Sequence, residues 1–115
     1  MRGWLRAAVG FFIAPDKLLV MRVSKLECQS VSIFGAGDLG LAVYMRLEQL
    51  GIQVNGWYDS KVKNAPCRFI GIDLLAPCFI KEELPQYLVI ASEAYAKEIM
   101  ASCVQAGFKG RFITL

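Results

Sequence analysis

The feature that most constrains this chain is an apolar run that leads into a glycine-rich turn. Residues 31–40 read Val-Ser-Ile-Phe-Gly-Ala-Gly-Asp-Leu-Gly, in which Gly35, Gly37 and Gly40 have the spacing G-x-G-x-x-G. An amphipathic stretch follows, so the order is a buried strand, a tight turn and a helix. Glycines in such a turn let the backbone approach a pyrophosphate, and the helix N-terminus offers N–H groups and a positive dipole. The motif therefore predicts a strand–turn–helix unit that binds a nucleotide.

A second strand-like run ends at an acidic residue. Residues 52–58 are followed by Asp59, which lies 24 residues after Gly35. A carboxylate about 20 residues after the first glycine is the residue type that accepts from a ribose 2′-hydroxyl. Asp59 in that role favours an NAD-like ligand over a 2′-phosphorylated one, whereas Lys61 weakens this discrimination because it can pair with a phosphate. The alternative is that Asp59 is only a polar residue that ends the strand.

The rest of the chain alternates strands and helices in a regular order. Gly51 and Gly107 are placed to end two helices, and the polar segment 60–68 predicts a loop. The predicted strands are 30–34, 53–58, 70–75, 87–91 and 111–115, and the predicted helices are 16–26, 38–50 and 94–106, with a short helix or turn before Pro85. Right-handed crossovers then predict an α/β, three-layer Rossmann-like fold whose parallel sheet has about five strands in the order 3-2-1-4-5.

Length and composition limit the chemistry that the chain can carry out. Its 115 residues provide one domain, which the pattern divides into an amphipathic helical leader, 1–26, and a Rossmann-like nucleotide-binding domain, 27–115. Histidine is absent, which excludes Ser-His-Asp triads, Cys-His pairs and His-ligated metals. The cysteines lack C-x-x-C spacing and are interpreted as reduced residues of a cytoplasmic protein; they are Cys28, Cys67, Cys78 and Cys103.

The leader holds the excess positive charge of the chain. The net charge is +3, and residues 1–25 contain five Lys or Arg and one Asp, so the remainder is nearly neutral and nucleic-acid binding has no broad basic patch to support it. Residues 1–14 have an apolar helical face. This segment is interpreted as a helix packed on its own domain or a sister subunit, as a peripheral membrane contact, or as a processed segment. Its length and Arg6 exclude a transmembrane span, and the 56% hydrophobic content favours a homo-oligomer or partner-protein face.

Three loops are expected to meet at the carboxyl ends of the strands, where a ligand sits in such sheets. Gly35 allows the sharp turn, Gly37 leaves room for a phosphate, and Gly40 lets the helix approach the sheet. The predicted cofactor-binding residues are Gly35, Ala36, Gly37, Asp38, Leu39, Gly40, Asp59, Ser60, Lys61 and Ser92. No catalytic or metal-binding residue is predicted.

Besides Asp59, two of these residues have competing interpretations. The amides of Asp38 and Leu39 are expected to face the phosphates, yet the Asp38 carboxylate is placed where an anion is expected to bind. Either this side chain turns away, or the site prefers a ligand with less phosphate charge. Ser92 is expected to hydrogen-bond a ribose or base, and the alternative is that it only caps the following helix.

Residues 31–115 resemble a known small module. The matching segments are VSIFGAGDLG, LGIQVNGWYDS, FIGIDLL and YLVIAS. They resemble the CoA-binding-like Rossmann domain at the N-terminus of polysaccharide-biosynthesis sugar-nucleotide dehydratases and of sialic-acid-type sugar O-acyltransferases. The resemblance implies that NAD, a related nucleotide or a nucleotide-sugar binds in the glycine-turn crevice. Neither family's catalytic part is present in this sequence, and Tyr95 and Lys97 lack the spacing Tyr-x-x-x-Lys, so we do not expect catalysis by this chain alone.

Three functions are consistent with the sequence. The first is a non-catalytic nucleotide-binding module in sugar-nucleotide or polysaccharide metabolism. The second is an NAD-dependent oxidoreductase fragment or subunit that takes its substrate residues from another chain. The third is a protein-interaction scaffold with an empty crevice.

Overall fold

The computed structural model describes residues 13–63 and 65–115. The helices are α1 (Pro15–Lys25), α2 (Asp38–Gln49), α3 (Ile80–Glu83, after a 3-10 turn at Pro77–Phe79) and α4 (Ala96–Gln105). The strands are β1 (Ser30–Phe34), β2 (Gln53–Tyr58), β3 (Cys67–Phe69), β4 (Ile72–Leu74), β5 (Tyr87–Ile90) and β6 (Arg111–Ile113). The predicted helix at residues 1–14 falls almost wholly on residues 1–12, which lie outside the described residues.

A parallel sheet with helices on both faces confirms the predicted α/β class. Its strands run in the order β2-β1-β5-β6, which is the predicted order without its third strand. Alternate residues of β1 point to opposite faces: Ile33 belongs to an apolar cluster with α1 and α2, whereas Phe34 belongs to a cluster with α3 and α4. Both faces of the sheet are therefore covered by helices, as the almost uninterrupted apolar strands predict.

The prediction of a third strand at 70–75 needs correction, because these residues do not form a full strand of the parallel sheet. β4 pairs antiparallel with β3, and the contact with β2 is the bridge between Tyr58 and Leu75. Ile70 and Gly71 both have positive φ, +45° and +80°, and such two-residue turns reverse the chain into a tight hairpin. Residues 67–69 form β3 because they supply the hydrogen-bonding partner of β4, although 67 and 68 were expected to lie in a loop.

The hairpin turn contains a strained isoleucine. Ile70 has a φ of +45°, which costs a side chain with a Cβ about 1–2 kcal/mol, and it is 54% exposed. We expect Ile70→Asn to raise the free energy of unfolding by about 1 kcal/mol in urea denaturation, since asparagine tolerates positive φ and Asn-Gly is a favoured hairpin turn. Ile70→Val keeps the β-branched side chain and should leave stability unchanged. An asparagine variant no more stable than the valine variant would contradict this explanation.

Helix α1 is attached to the domain rather than separated from it. Leu19, Val20 and Val23 are buried in the apolar cluster shared with β1 and α2. Asp16 also accepts a hydrogen bond from Arg46 of α2, and this bond lowers the pKa of the Asp16 carboxyl group. Within the described residues, no helix has the length and apolar character that crossing a bilayer requires.

Candidate functional site

The glycine turn lies at the carboxyl end of β1 and has a backbone shape that requires glycine at its first position. Gly35 has a φ of +114°, and a Cβ there would lie 2.9 Å from the carbonyl oxygen of Ala91. Its N–H donates to the carbonyl oxygen of Tyr58 at 2.8 Å. The ends of β1, β2 and β5 therefore meet at this residue, as expected for the point where strand order reverses.

The third glycine of the motif is held against the first. A Cβ on Gly40 would lie 2.0 Å from the carbonyl oxygen of Gly35, far inside van der Waals contact. Gly40 is buried in the first turn of α2. Only a residue without a side chain allows the helix to begin this close to the turn.

The middle glycine, by contrast, borders open space. Gly37 is the N-cap of α2, it is exposed, and a Cβ there would have no protein atom within 4 Å among the described residues. No side chain of the described residues caps this helix end. Asp38 is exposed and its carboxylate does not occupy the N-terminal amides. The positive end of α2 is therefore open to solvent.

Asp59 connects β2 to the glycine turn through both carboxylate oxygens. Oδ2 accepts from the N–H of Ala36 at 2.8 Å, and Oδ1 accepts from the N–H of Lys61 at 2.8 Å. Its half-buried side chain therefore fixes the turn, a structural role that the sequence did not indicate. Each carboxylate oxygen has a second lone pair, so Asp59 retains capacity for a ligand hydroxyl.

Ser92 lies in the turn before α4 and does not cap this helix as its alternative interpretation expected, because the N-cap is Tyr95 and no side chain of the described residues caps it. Its Oγ accepts from the N–H of Tyr95 at 3.0 Å, just before α4. The hydroxyl proton is still available to donate to a ligand. Ser60 and Lys61 are exposed beside Asp59, whereas Leu39 is half-buried in the first turn of α2.

Sequence reasoning missed the part that Trp57 plays in the site. Its fully buried indole donates its N–H to the carbonyl oxygen of Gly35 at 2.7 Å. The ring stacks on Tyr44 at a centroid distance of 5.0 Å and meets the edge of Phe69 at 5.4 Å. A tryptophan at an inward-facing position two residues before Asp59 is a signal that could have indicated this contact.

A cleft of about 330 Å³ begins at the glycine turn and extends toward the hairpin. Ala36 and Asp59 form its near end, Lys61 and Lys63 contribute positive charge, and Cys67 of β3 lies on the far wall. Lys63 and β3 were not among the predicted site residues. A larger cavity of about 440 Å³ is lined by residues such as Ser30 and Gln86 at the amino ends of β1 and β5, away from the turn. We assign the smaller cleft to the site because Ala36 of the glycine turn and Asp59 line it.

The residues with perturbed proton affinity are not placed for catalysis at this cleft. Burial raises the pKa of the Cys103 thiol to about 11, and this cysteine lies in the apolar cluster with α4. Burial also raises the pKa of Tyr58, whose hydroxyl donates to Glu83. Among residues 13–63 and 65–115, no group of three or more His, Cys, Asp or Glu side chains could hold a metal ion. Neither Cys103 nor Tyr58 is among the residues that line the cleft.

Comparison with known proteins supports the fold. No protein-family model and no curated protein matches the sequence. The crystal structure of RSP, a Rex-family repressor, is similar with a TM-score of 0.56 and 14% sequence identity. The similarity covers 83% of this chain and 56% of RSP, so this chain spans little more than half the length of that protein. At this identity the similarity concerns architecture, and it shows that residues of this chain adopt a Rossmann-type fold.

Proposed function

We propose that this chain is a nucleotide-binding module that holds the phosphates of NAD or a related nucleotide at the amino end of α2. The observation that carries the proposal is the open helix end at Gly37. There, uncapped N–H groups face solvent, and the absent side chain leaves space that no described protein atom fills. Such a helix end binds anions through N–H groups and the helix dipole together.

The surroundings of the turn suggest where the rest of the ligand lies. A ribose next to Asp59 would donate to the lone pairs that Ala36 and Lys61 leave unused. A base would then enter the cleft toward β3. Lys61 and Lys63 line the same cleft, so a phosphate on the ribose would meet positive charge there. A place in sugar-nucleotide or polysaccharide metabolism is the further expectation that the resemblance of residues 31–115 implies.

A ligand titration followed by NMR tests the proposal. The chain is titrated with NAD, NADP, CoA, ATP and UDP-sugars while the amide signals of residues 35–40 and the Tm are recorded. We expect at least one ligand to shift the amides of Gly37, Asp38 and Leu39, and to stabilise the fold by about 2.7 kcal/mol at a concentration 100 times its Kd. If no ligand moves these amides, the nucleotide-binding function is wrong. The scaffold function is then favoured, for which Met21 and Leu50, 44% and 57% exposed, are the supporting observation.

Asp38 provides a test of the charge at the helix end. Its carboxylate is exposed on the first residue of α2, where it repels a bound phosphate. A repulsion of about 1 kcal/mol, as between two unit charges about 4 Å apart in water, corresponds to roughly fivefold in affinity. We therefore expect Asp38→Asn to tighten binding of the responding nucleotide by about fivefold in calorimetry, and less at high salt.

Glu48→Gln is the matched control for that variant. It removes one negative charge from the other end of α2, where Glu48 is exposed and far along the helix from Gly37. Its affinity should equal that of the unmodified chain. Equal affinities for the Asp38 and Glu48 variants would show that the phosphates do not lie at the amino end of α2.

A further inference from the structure

A second cleft, of about 330 Å³, lies between the end of α1 and β6. Arg22 and Lys25 of α1 and Arg111 of β6 line it, and none of the described residues that line it is acidic. Leu26 and Ile113 add apolar surface. The cleft therefore combines three positive charges with an apolar floor, and it does not share a lining residue with the site at Gly37.

The positions of the charges follow from helix and strand periodicity. Arg22 and Lys25 are three residues apart, so they are neighbours on the surface of α1. Ile113 packs in the apolar cluster with α1, and alternation along β6 places Arg111 on the same face of the sheet. Arg22 also donates to the carbonyl oxygen of Thr114, which fixes its guanidinium beside the strand.

Among the described residues, β6 is an edge strand, and main-chain groups on its outer side have no strand partner there. It is the last strand in the order β2-β1-β5-β6, and the N–H of Arg111 donates to the carbonyl oxygen of Gln86 at 2.9 Å. In a parallel ladder, the N–H and C=O of one residue point to the same side of the strand, and successive residues alternate between the two sides. The N–H groups of Phe112 and Thr114 and the C=O of Phe112 consequently point away from β5, along the rim of the cleft.

We propose that β6 and this cleft form a docking site for an acidic peptide segment in extended conformation. The segment adds to the sheet as a strand beside β6, and main-chain hydrogen bonds to Phe112 and Thr114 hold it there. Its alternate side chains lie on the α1 face, where glutamate or aspartate meets Arg22, Lys25 and Arg111. Charge complementarity and the free strand edge thus select the same ligand.

Two other occupants fit these observations less well. A second copy of the chain paired edge to edge would bring two sets of three cations together, which is unfavourable. A nucleic-acid backbone would pair with the cations, but it has no regularly spaced hydrogen-bond donors for the C=O of Phe112. The phosphates would also be repelled by that carbonyl oxygen. The peptide alone satisfies both the charges and the edge.

Fluorescence anisotropy with short labelled peptides tests the proposal on the full chain. The probe peptide alternates glutamate with valine, and the comparison peptide alternates lysine with valine. We expect the acidic peptide to bind and the basic one not to bind. Arg111→Glu should weaken acidic-peptide binding by about tenfold or more, whereas Lys97→Glu, an exposed charge reversal on α4, should leave it unchanged. Equal binding of the two peptides would overturn the proposal.

A proline variant separates strand addition from simple charge attraction. Thr114→Pro removes an N–H that points away from β5, so it spares the pairing of the sheet, and prolines are accepted on edge strands. We expect this variant to bind the acidic peptide about tenfold more weakly and to bind a single-stranded oligonucleotide as the unmodified chain does. Hydrogen exchange should show protection of Phe112 and Thr114 by the peptide. If the proline has no effect and the oligonucleotide binds as tightly as the peptide, the cleft is a general anion site and the proposal is wrong.

Discussion

Replacing Gly40 by alanine is expected to destabilise the domain by about 3 kcal/mol, the upper end of the usual cost of overpacking. The new Cβ would lie 2.0 Å from the carbonyl oxygen of Gly35. Gly35 cannot move away easily. Its carbonyl oxygen accepts a hydrogen bond from the indole N–H of Trp57, and its own N–H donates to the carbonyl oxygen of Tyr58. The start of α2 must therefore move away from the sheet. Thermal denaturation should show a Tm lower by roughly 12 °C or more, at about 4 °C per kcal/mol.

Ala42→Gly is a useful comparison, since it changes the same helix by one methyl group in the opposite direction. It lies inside α2 and should cost about 1 kcal/mol through backbone entropy alone. The alanine variant of Gly40 should be clearly less stable than this glycine variant. A Gly40→Ala protein as stable as the unmodified chain would mean that α2 does not start in contact with Gly35.

Replacing Gly37 by valine is expected to have the opposite consequence: loss of nucleotide binding with little loss of stability. The valine side chain enters space that no described protein atom occupies, and the φ of −80° at Gly37 suits any residue. The change costs at most about 1 kcal/mol, because glycine is a better N-cap than an aliphatic residue. The branched side chain covers the amides that would face the phosphates, so affinity should fall about tenfold or more in calorimetry.

The two glycine variants control for each other. If Gly37→Val binds every responding nucleotide as the unmodified chain does, the phosphates are bound elsewhere. If it unfolds as Gly40→Ala should, its effect on binding is indirect, and Gly37→Ala with its smaller side chain then provides the measurement. Peptide binding at β6 should be unchanged in Gly37→Val, which keeps the two proposals independent.

Much of the fold could be predicted because local signals agree with the tertiary structure. The apolar residues of β1, the spacing of Gly35, Gly37 and Gly40, and the glycine that ends α2 each indicate one local conformation, and the sheet joins them without conflict. The four strands β2, β1, β5 and β6 and their order follow from that alternation. The similarity to RSP supports the same fold at 14% identity.

The hairpin was not predictable by the same reasoning. A β-branched residue such as Ile70 argues against a turn with positive φ, so the segment FIGIDLL reads as one continuous strand. Tertiary packing of Phe69 against Trp57 favours the turn instead. Likewise, the hydrogen bonds of Asp59 to Ala36 and Lys61 could not be inferred, because spacing places a carboxylate at a strand end without showing which donors it meets there.

The contact between Trp57 and Gly35 gives the protein an optical reporter of its own glycine turn. An indole whose N–H is held by the turn's carbonyl oxygen changes its emission when that oxygen moves or when charge arrives nearby. The sequence contains two tryptophans, and a Trp4→Phe chain keeps Trp57 as the sole emitter. In that chain, the emission wavelength of Trp57 would report ligand binding at the turn without a label or an added probe.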